Sequence, residues 1–81
     1  MSYTLAHQLV GYDPETERLE VQWEIPESLM DKVRRLVVTD EDDPDIVDAY
    51  PVDPTVARDI LGMLHSNERR QLDYFLEGFQ R

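Results

Sequence analysis

Residues 18–25 alternate strictly, with Leu19, Val21, Trp23 and Ile25 on one side and Arg18, Glu20, Gln22 and Glu24 on the other. A period of two, with branched and aromatic residues on one side, predicts a half-buried antiparallel strand. Upstream, Tyr3, Leu5, His7 and Leu9 alternate with Thr4, Ala6, Gln8 and Val10, and Asp13-Pro14-Glu15-Thr16 separates the two runs. Asp before Pro suits the first two positions of a type I turn, because the proline ring presets φ. The two runs therefore predict a β-hairpin. Side-chain parity restricts its register: Leu5, His7 and Leu9 share a face with Val21 and Trp23 only if odd residues pair with odd ones. That requires a loop of odd length, about three or five residues, with Gly11 available for a bulge at its edge.

Pro26 ends the second strand, and the period changes. Leu29, Met30, Val33, Leu36 and Val37 form one helical stripe, with Lys32, Arg34 and Arg35 outside it and Glu27 or Ser28 near its start. Residues 46–52 are short and β-like; Ile46, Tyr50 and Val52 share a face with Asp48, and Pro51 suits a sheet edge. Asp53-Pro54 reads as an N-cap followed by proline at the first helical position. The stripe Val56, Ala57, Ile60, Leu61 and Leu64 continues that helix. Ser66 or Asn67 caps a last helix whose apolar face is Leu72, Phe75, Leu76 and Phe79, with Arg69 and Arg70 facing solvent near Asp73 and Glu77. The expected fold is one α+β domain of order ββαβαα over residues 1–81, with the helices packed on one face of the sheet.

Three groups of residues carry a resemblance. Gly11-Tyr12-Asp13-Pro14-Glu15-Thr16, Asp48-Ala49-Tyr50-Pro51-Val52 and Leu72-Asp73-Tyr74-Phe75-Leu76-Glu77 make the chain similar to a family of small acidic bacterial proteins of uncharacterised function. The likeness covers most of the length. It rests on turn and core residues, and it implies no activity, ligand or functional residue. In size and charge alone the chain also resembles immunity proteins that neutralise bacterial toxins.

Charge changes the picture most. Of 18 acidic residues, seven fall between Asp40 and Asp53, where there is no Lys, Arg or His. Those positions hold −7 of the formal −10, and the remainder is near balance with eleven acids against eight bases. Such a field attracts basic partners and repels nucleic acid and anionic membrane. Arg34-Arg35 and Arg69-Arg70 are isolated pairs, not a basic stripe. With no cysteine, no disulfide or thiolate metal site is available. The N-terminus lacks a signal-peptide pattern and no apolar run approaches the roughly 20 residues of a membrane span, so a soluble cytoplasmic protein is expected.

Candidate chemistry is sparse. Asp40, Asp42 and Asp45, with Glu41 and Asp43, offer oxygen ligands of the kind Ca²⁺ or Mg²⁺ takes. An EF-hand loop, however, needs a glycine at its turn and a glutamate at its twelfth position. Here Pro44 interrupts the run, and the twelfth position from Asp40 is Pro51. His7 falls on the predicted core face near Trp23, where packing is the ordinary role. His65 follows a helix end, where a cation suits the dipole. Isolated Gly11, Gly62 and Gly78 make no phosphate loop, and Ser2, Ser28 and Ser66 lie in no nucleophile motif.

The sequence therefore points to a non-enzymatic domain without cofactor, monomeric or weakly dimeric. Asp40, Glu41, Asp42, Asp43, Asp45, Asp48 and Tyr50 are the candidate partner-binding residues, Tyr being common at interfaces. The partner expected is a basic protein surface, such as the phosphate-binding groove of a toxin or nuclease. A metal-responsive or small-ligand module using the Asp40–Asp48 carboxylates is the alternative.

Overall fold

The computed structural model describes residues 4–68 and 70–81. Its order is β1 (Leu5–Tyr12), β2 (Leu19–Ile25), α1 (Glu27–Leu36), β3 (Ala49–Val52), α2 (Pro54–Met63) and β4 (Asp73–Gln80). The four strands form one antiparallel sheet in the order β2-β1-β4-β3. This is an α+β domain with an N-terminal hairpin, as the periodicities predict. The order is ββαβαβ, however: the last element is a strand and not a helix. Tyr3 and Arg69, placed by the sequence pattern on the first strand and the last helix, lie outside the described residues.

The hairpin obeys the parity argument. His7 pairs with Ile25, Leu9 with Trp23 and Gly11 with Val21. The register then slips, and Tyr12 pairs with Leu19, leaving Glu20 as the extra residue of a bulge beside Gly11. That bulge lets residues 13–18, an even-numbered loop, close a hairpin expected to need an odd one. Asp13 organises the turn: its carboxylate accepts from the Glu15 and Thr16 amides at 2.8 and 3.0 Å. Its carbonyl accepts from the Glu17 amide at 2.8 Å, with Glu17 at φ 61°.

Residues facing each other across a ladder share a side of the sheet. Trp23, Leu9, Leu76 and Tyr50 therefore form one row on the covered side. Leu9 and Leu76 are wholly buried there, and Trp23 and Tyr50 are half-buried toward the edges. Met30 and Val33 of α1 and Ala57, Ile60 and Leu61 of α2 close over that side. Helix α2 starts as expected, with the Asp53 carboxylate accepting from the Thr55 amide at 2.9 Å and Pro54 in the first turn. Helix α1 follows Pro26 without a side-chain cap. Among the described residues, no helix is long and apolar enough to cross a membrane.

The C-terminal correction has a physical cause. Leu72, Phe75, Leu76 and Phe79 fit a helical stripe, but Leu72, Tyr74 and Leu76 fit period two equally well, and short apolar runs do not separate these readings. Tertiary pairing decides. β4 runs beside β1 from Leu5↔Gln80 to Tyr12↔Asp73, and beside β3 from Ala49↔Glu77 to Val52↔Tyr74. A helix would have turned Tyr74 outward; the strand buries it to 6 % exposure and sends Phe75 and Phe79 to the side away from the helices. Ser66 caps no helix: its hydroxyl accepts from the Glu68 amide at 3.2 Å. Arg70 forks onto Glu68 at 2.7 and 2.9 Å and approaches Glu20 at 3.7 Å.

Because β4 is the central partner of both β1 and β3, Leu76→Ala should cost about 2–5 kcal/mol, the range for deleting a fully buried leucine. Chemical denaturation measures it. A cost below about 1 kcal/mol, the scale of ordinary surface changes, would remove Leu76 from the core and β4 from the middle of the sheet.

Candidate functional site

The acidic segment between α1 and β3 is folded about one of its own carboxylates. Asp43 accepts from the Val47 amide at 2.9 and 3.0 Å, from the Asp48 amide at 3.0 Å and from the Tyr50 hydroxyl at 2.7 Å. The Asp43 amide in turn donates to the Asp40 carbonyl at 3.0 Å, and the Asp40 carboxylate takes the Asp42 amide at 2.9 Å. These are Asx-type turns in series, the use to which short acidic side chains are suited in loops. The Val47 and Asp48 amides, first and second in effect, and then the Tyr50 hydroxyl hold the Asp43 carboxyl below its ordinary range. Tyr50 moves the other way: partial burial first, then its bond to Asp43, push its hydroxyl up.

Three further contacts pin the segment to the sheet and to α1. His7 Nε2 donates to the Asp45 carbonyl at 2.9 Å, and the Arg34 guanidinium donates to the Pro44 carbonyl at 2.5 Å. Immediately after them the chain turns through Ile46, which sits at φ 53° with 1 % exposure and makes the third contact. A β-branched residue in the left-handed region costs about 1–3 kcal/mol and persists only where its surroundings over-determine it. Burial of the Ile46 side chain in the main core is that determinant. The segment crosses the sheet directly over Gly78, where an added Cβ would run into the Ile46 carbonyl oxygen and lie 3.1 Å from the Val47 Cα. Glycine is needed there for close backbone approach.

The seven candidate residues thus divide. Asp40, Glu41, Asp42, Asp45 and Asp48 face solvent, whereas Asp43 and Tyr50 are half-buried and build the loop. Among the described residues, no Lys or Arg pairs with the loop's carboxylates. The segment presents an uncompensated charge cluster on an internally hydrogen-bonded backbone. Its carboxylates do not converge: among the described residues, no three His, Cys, Asp or Glu side chains are placed to hold a metal ion. Asp43, the best-positioned oxygen donor, is already filled by protein donors.

Sequence reasoning missed His7, Arg34 and Gly78 as supports of this loop. Only Gly78 left a signal, a lone glycine inside an aromatic run. His7 was expected to pack, and it does, at 9 % exposure. His65 is exposed at φ 58°, donating its amide to the Gly62 carbonyl at 3.1 Å beyond the end of α2. A cleft of about 400 Å³ lies away from the loop, between the hairpin turn and α2, with Arg58, Leu61, Leu72 and Tyr74 in its walls.

A family profile described as Domain of unknown function (DUF7683) matches residues 7–77. Neither the curated proteins nor the solved structures gave a match. The family description carries no activity, ligand or partner, and bears on no likeness to immunity proteins.

Two measurements check the loop. With its folded-state pKa lowered, Asp43 contributes stability that is complete above the unfolded value, about 3.9. That contribution is lost as pH falls through the folded value. Tyr50, raised, contributes stability below its unfolded value, about 10, that is lost as pH climbs through the folded one. Hydrogen exchange at the Val47 and Asp48 amides, corrected for intrinsic rate, should quicken at both extremes. Asp43→Asn should abolish the acid-side change; an unchanged acid profile would show that Asp43 does not order the loop. Gly78→Ala should lower the melting temperature and shift the Ile46 and Val47 amide resonances. Wild-type stability would mean that the loop does not lie on β4.

Proposed function

The chain belongs to this family of unknown function, and from that premise we propose that it is a non-enzymatic protein-binding domain whose acidic loop meets a basic surface of another protein. One observation supports the reading most: five exposed carboxylates stand on a backbone that Asp43, His7, Arg34 and Ile46 hold in place. A charge cluster on a fixed frame steers a basic partner and loses little conformational freedom when it docks. A merely solvated acidic connection would need none of this internal bonding. Tyr50, with its hydroxyl committed to Asp43, serves as a support for the loop in this proposal rather than as a separate anchor.

The sharpest form of the proposal is an inhibitor that lays the loop into a phosphate-binding groove, as an immunity protein does on a toxin or nuclease. Such grooves are basic because they bind polyanions, and steering favours fast capture. No cofactor is required.

The test keeps the frame and removes the display. Glu41→Gln, Asp42→Asn, Asp45→Asn and Asp48→Asn are combined, with Asp40, Asp43 and Tyr50 retained. Against a partner isolated with the wild-type protein, the variant should associate roughly ten-fold or more slowly at low ionic strength, with a smaller deficit at high salt. Its melting temperature should not fall, since like charges are being removed from an exposed loop. An unchanged association rate and salt dependence would refute the acidic loop as the contact surface.

A further inference from the structure

The side of the sheet away from the helices departs from the usual antiparallel pattern, in which the open side is polar. The register places Gln22, Val10, Phe75 and Pro51 in one row across it. Val10 is 1 % exposed yet stands outside the core cluster beneath the helices. Phe75 meets Tyr12 edge-on, with 5.8 Å between ring centroids, and both rings are half-buried, as is Phe79. Leu19, paired with Tyr12 on the same side, is 48 % exposed. Val10, Tyr12, Phe75 and Leu19 thus form an apolar group on the side that no helix covers, bordered along the central strands by the hydrogen-bonded Gln8–Glu77 pair, with Phe79 beyond it. An apolar group of this kind beside a polar row, Glu24, Gln8 and Glu77, has the make-up of an interaction site.

The margin indicates what fits there. Glu24, Glu77 and Asp73 lie on this side. The Arg81 guanidinium is already bonded to Glu24 at 2.6 Å, and the Glu77 carboxylate takes the Gln8 amide at 2.6 Å. With Glu24 paired to Arg81, the Glu77 and Asp73 carboxylates leave this side with a negative surplus of its own. A second copy placed face to face would set acids against acids. A helix is the element that ordinarily covers a sheet face, and an apolar stripe flanked by Lys or Arg matches both the apolar group and the carboxylates beside it. We infer that this face docks an amphipathic helix of a partner protein with basic residues flanking its apolar stripe. The surface is separate from the acidic loop, which crosses the opposite side over Gly78.

The probe is a synthetic Leu/Lys amphipathic helix, compared with the same peptide carrying Glu for Lys and with a scrambled Leu/Lys peptide. Isotope-labelled protein is titrated at physiological ionic strength and followed by amide and aromatic resonances. The Leu/Lys helix should bind saturably, shifting Val10, Tyr12, Phe75 and Phe79, and the other two peptides should not. Gln22→Lys with Ala49→Lys, at exposed positions on the two edges of this face, should weaken binding roughly ten-fold, while a loop variant with Glu41→Gln, Asp42→Asn and Asp45→Asn, which keeps Asp48 beside Ala49, should bind nearly as wild type, because screening confines each charge to about 8 Å. Both positions are exposed, and the melting temperature of the edge variant, measured alongside, separates a folding defect from a loss of binding. The inference is overturned if shifts are confined to residues 40–48, if the Glu or scrambled peptide binds as well, or if the edge variant binds unchanged. Sedimentation of the free protein as a dimer that the edge variant dissociates would also overturn it, by assigning the face to a second copy.

Discussion

The ladder between β1 and β4 is the contact on which the rest of the domain depends. It joins segments from opposite ends of the described chain, Leu5 to Gln80 and Tyr12 to Asp73, and places β4 between the hairpin and β3. Without β4, β3 has no neighbour, α2 loses Tyr74 and Leu76 from beneath it, and the acidic segment loses the backbone it crosses. A two-stranded hairpin alone is at best marginal in water. The loop-closure entropy of so distant a pairing is met before any other long-range contact repays it, a topology that folds slowly for its size. Every later feature, including the charged loop, is conditional on that closure.

The acidic segment shows how a small protein can keep like charges together. Seven acids in fourteen positions repel one another, and at first sight the loop should be loose. One of them, Asp43, is removed from the display and used as an acceptor for three donors. Its negative charge strengthens those bonds, since a bond to an ionised acceptor is roughly twice as strong as a neutral one. His7 and Arg34 grip carbonyls, not carboxylates, so they position the backbone without neutralising the exposed acids. The outcome is order and uncompensated charge in the same nine residues, 40–48. Random placement of acids in a loop would give one or the other.

Local signals were legible in the sequence and remote ones were not. The odd-to-odd register of the hairpin follows from side-chain alternation alone, but the even-length loop does not: the bulge that turns Leu19 to the other side of the sheet was legible only as a glycine available at Gly11. Asp53-Pro54 announces α2 because a cap acts within one turn. Pro51 announces an edge strand because proline cannot donate to a second neighbour. β4 escaped for the opposite reason: Leu72, Phe75, Leu76 and Phe79 satisfy a helix, and only pairing with Leu9 and Tyr50, far away in sequence, tells against it. The candidate site was half legible. Its exposed acids are visible as composition, but the donors to Asp43 are mainly backbone amides, which carry no mark in a sequence.

The strand reading of the C-terminal segment also alters what its aromatic residues mean. On a helix, Phe75 and Phe79 would lie with Leu72 and Leu76 in one core. On a strand, period two splits them, giving Tyr74 and Leu76 to the helices and Phe75 and Phe79 to the other side. A chain of 81 residues has little apolar material to spare, yet here two phenylalanines, with Val10 and Tyr12, are placed where neither helix reaches. A partly covered aromatic group on one side and an internally bonded acidic loop on the other give the domain two chemically distinct surfaces.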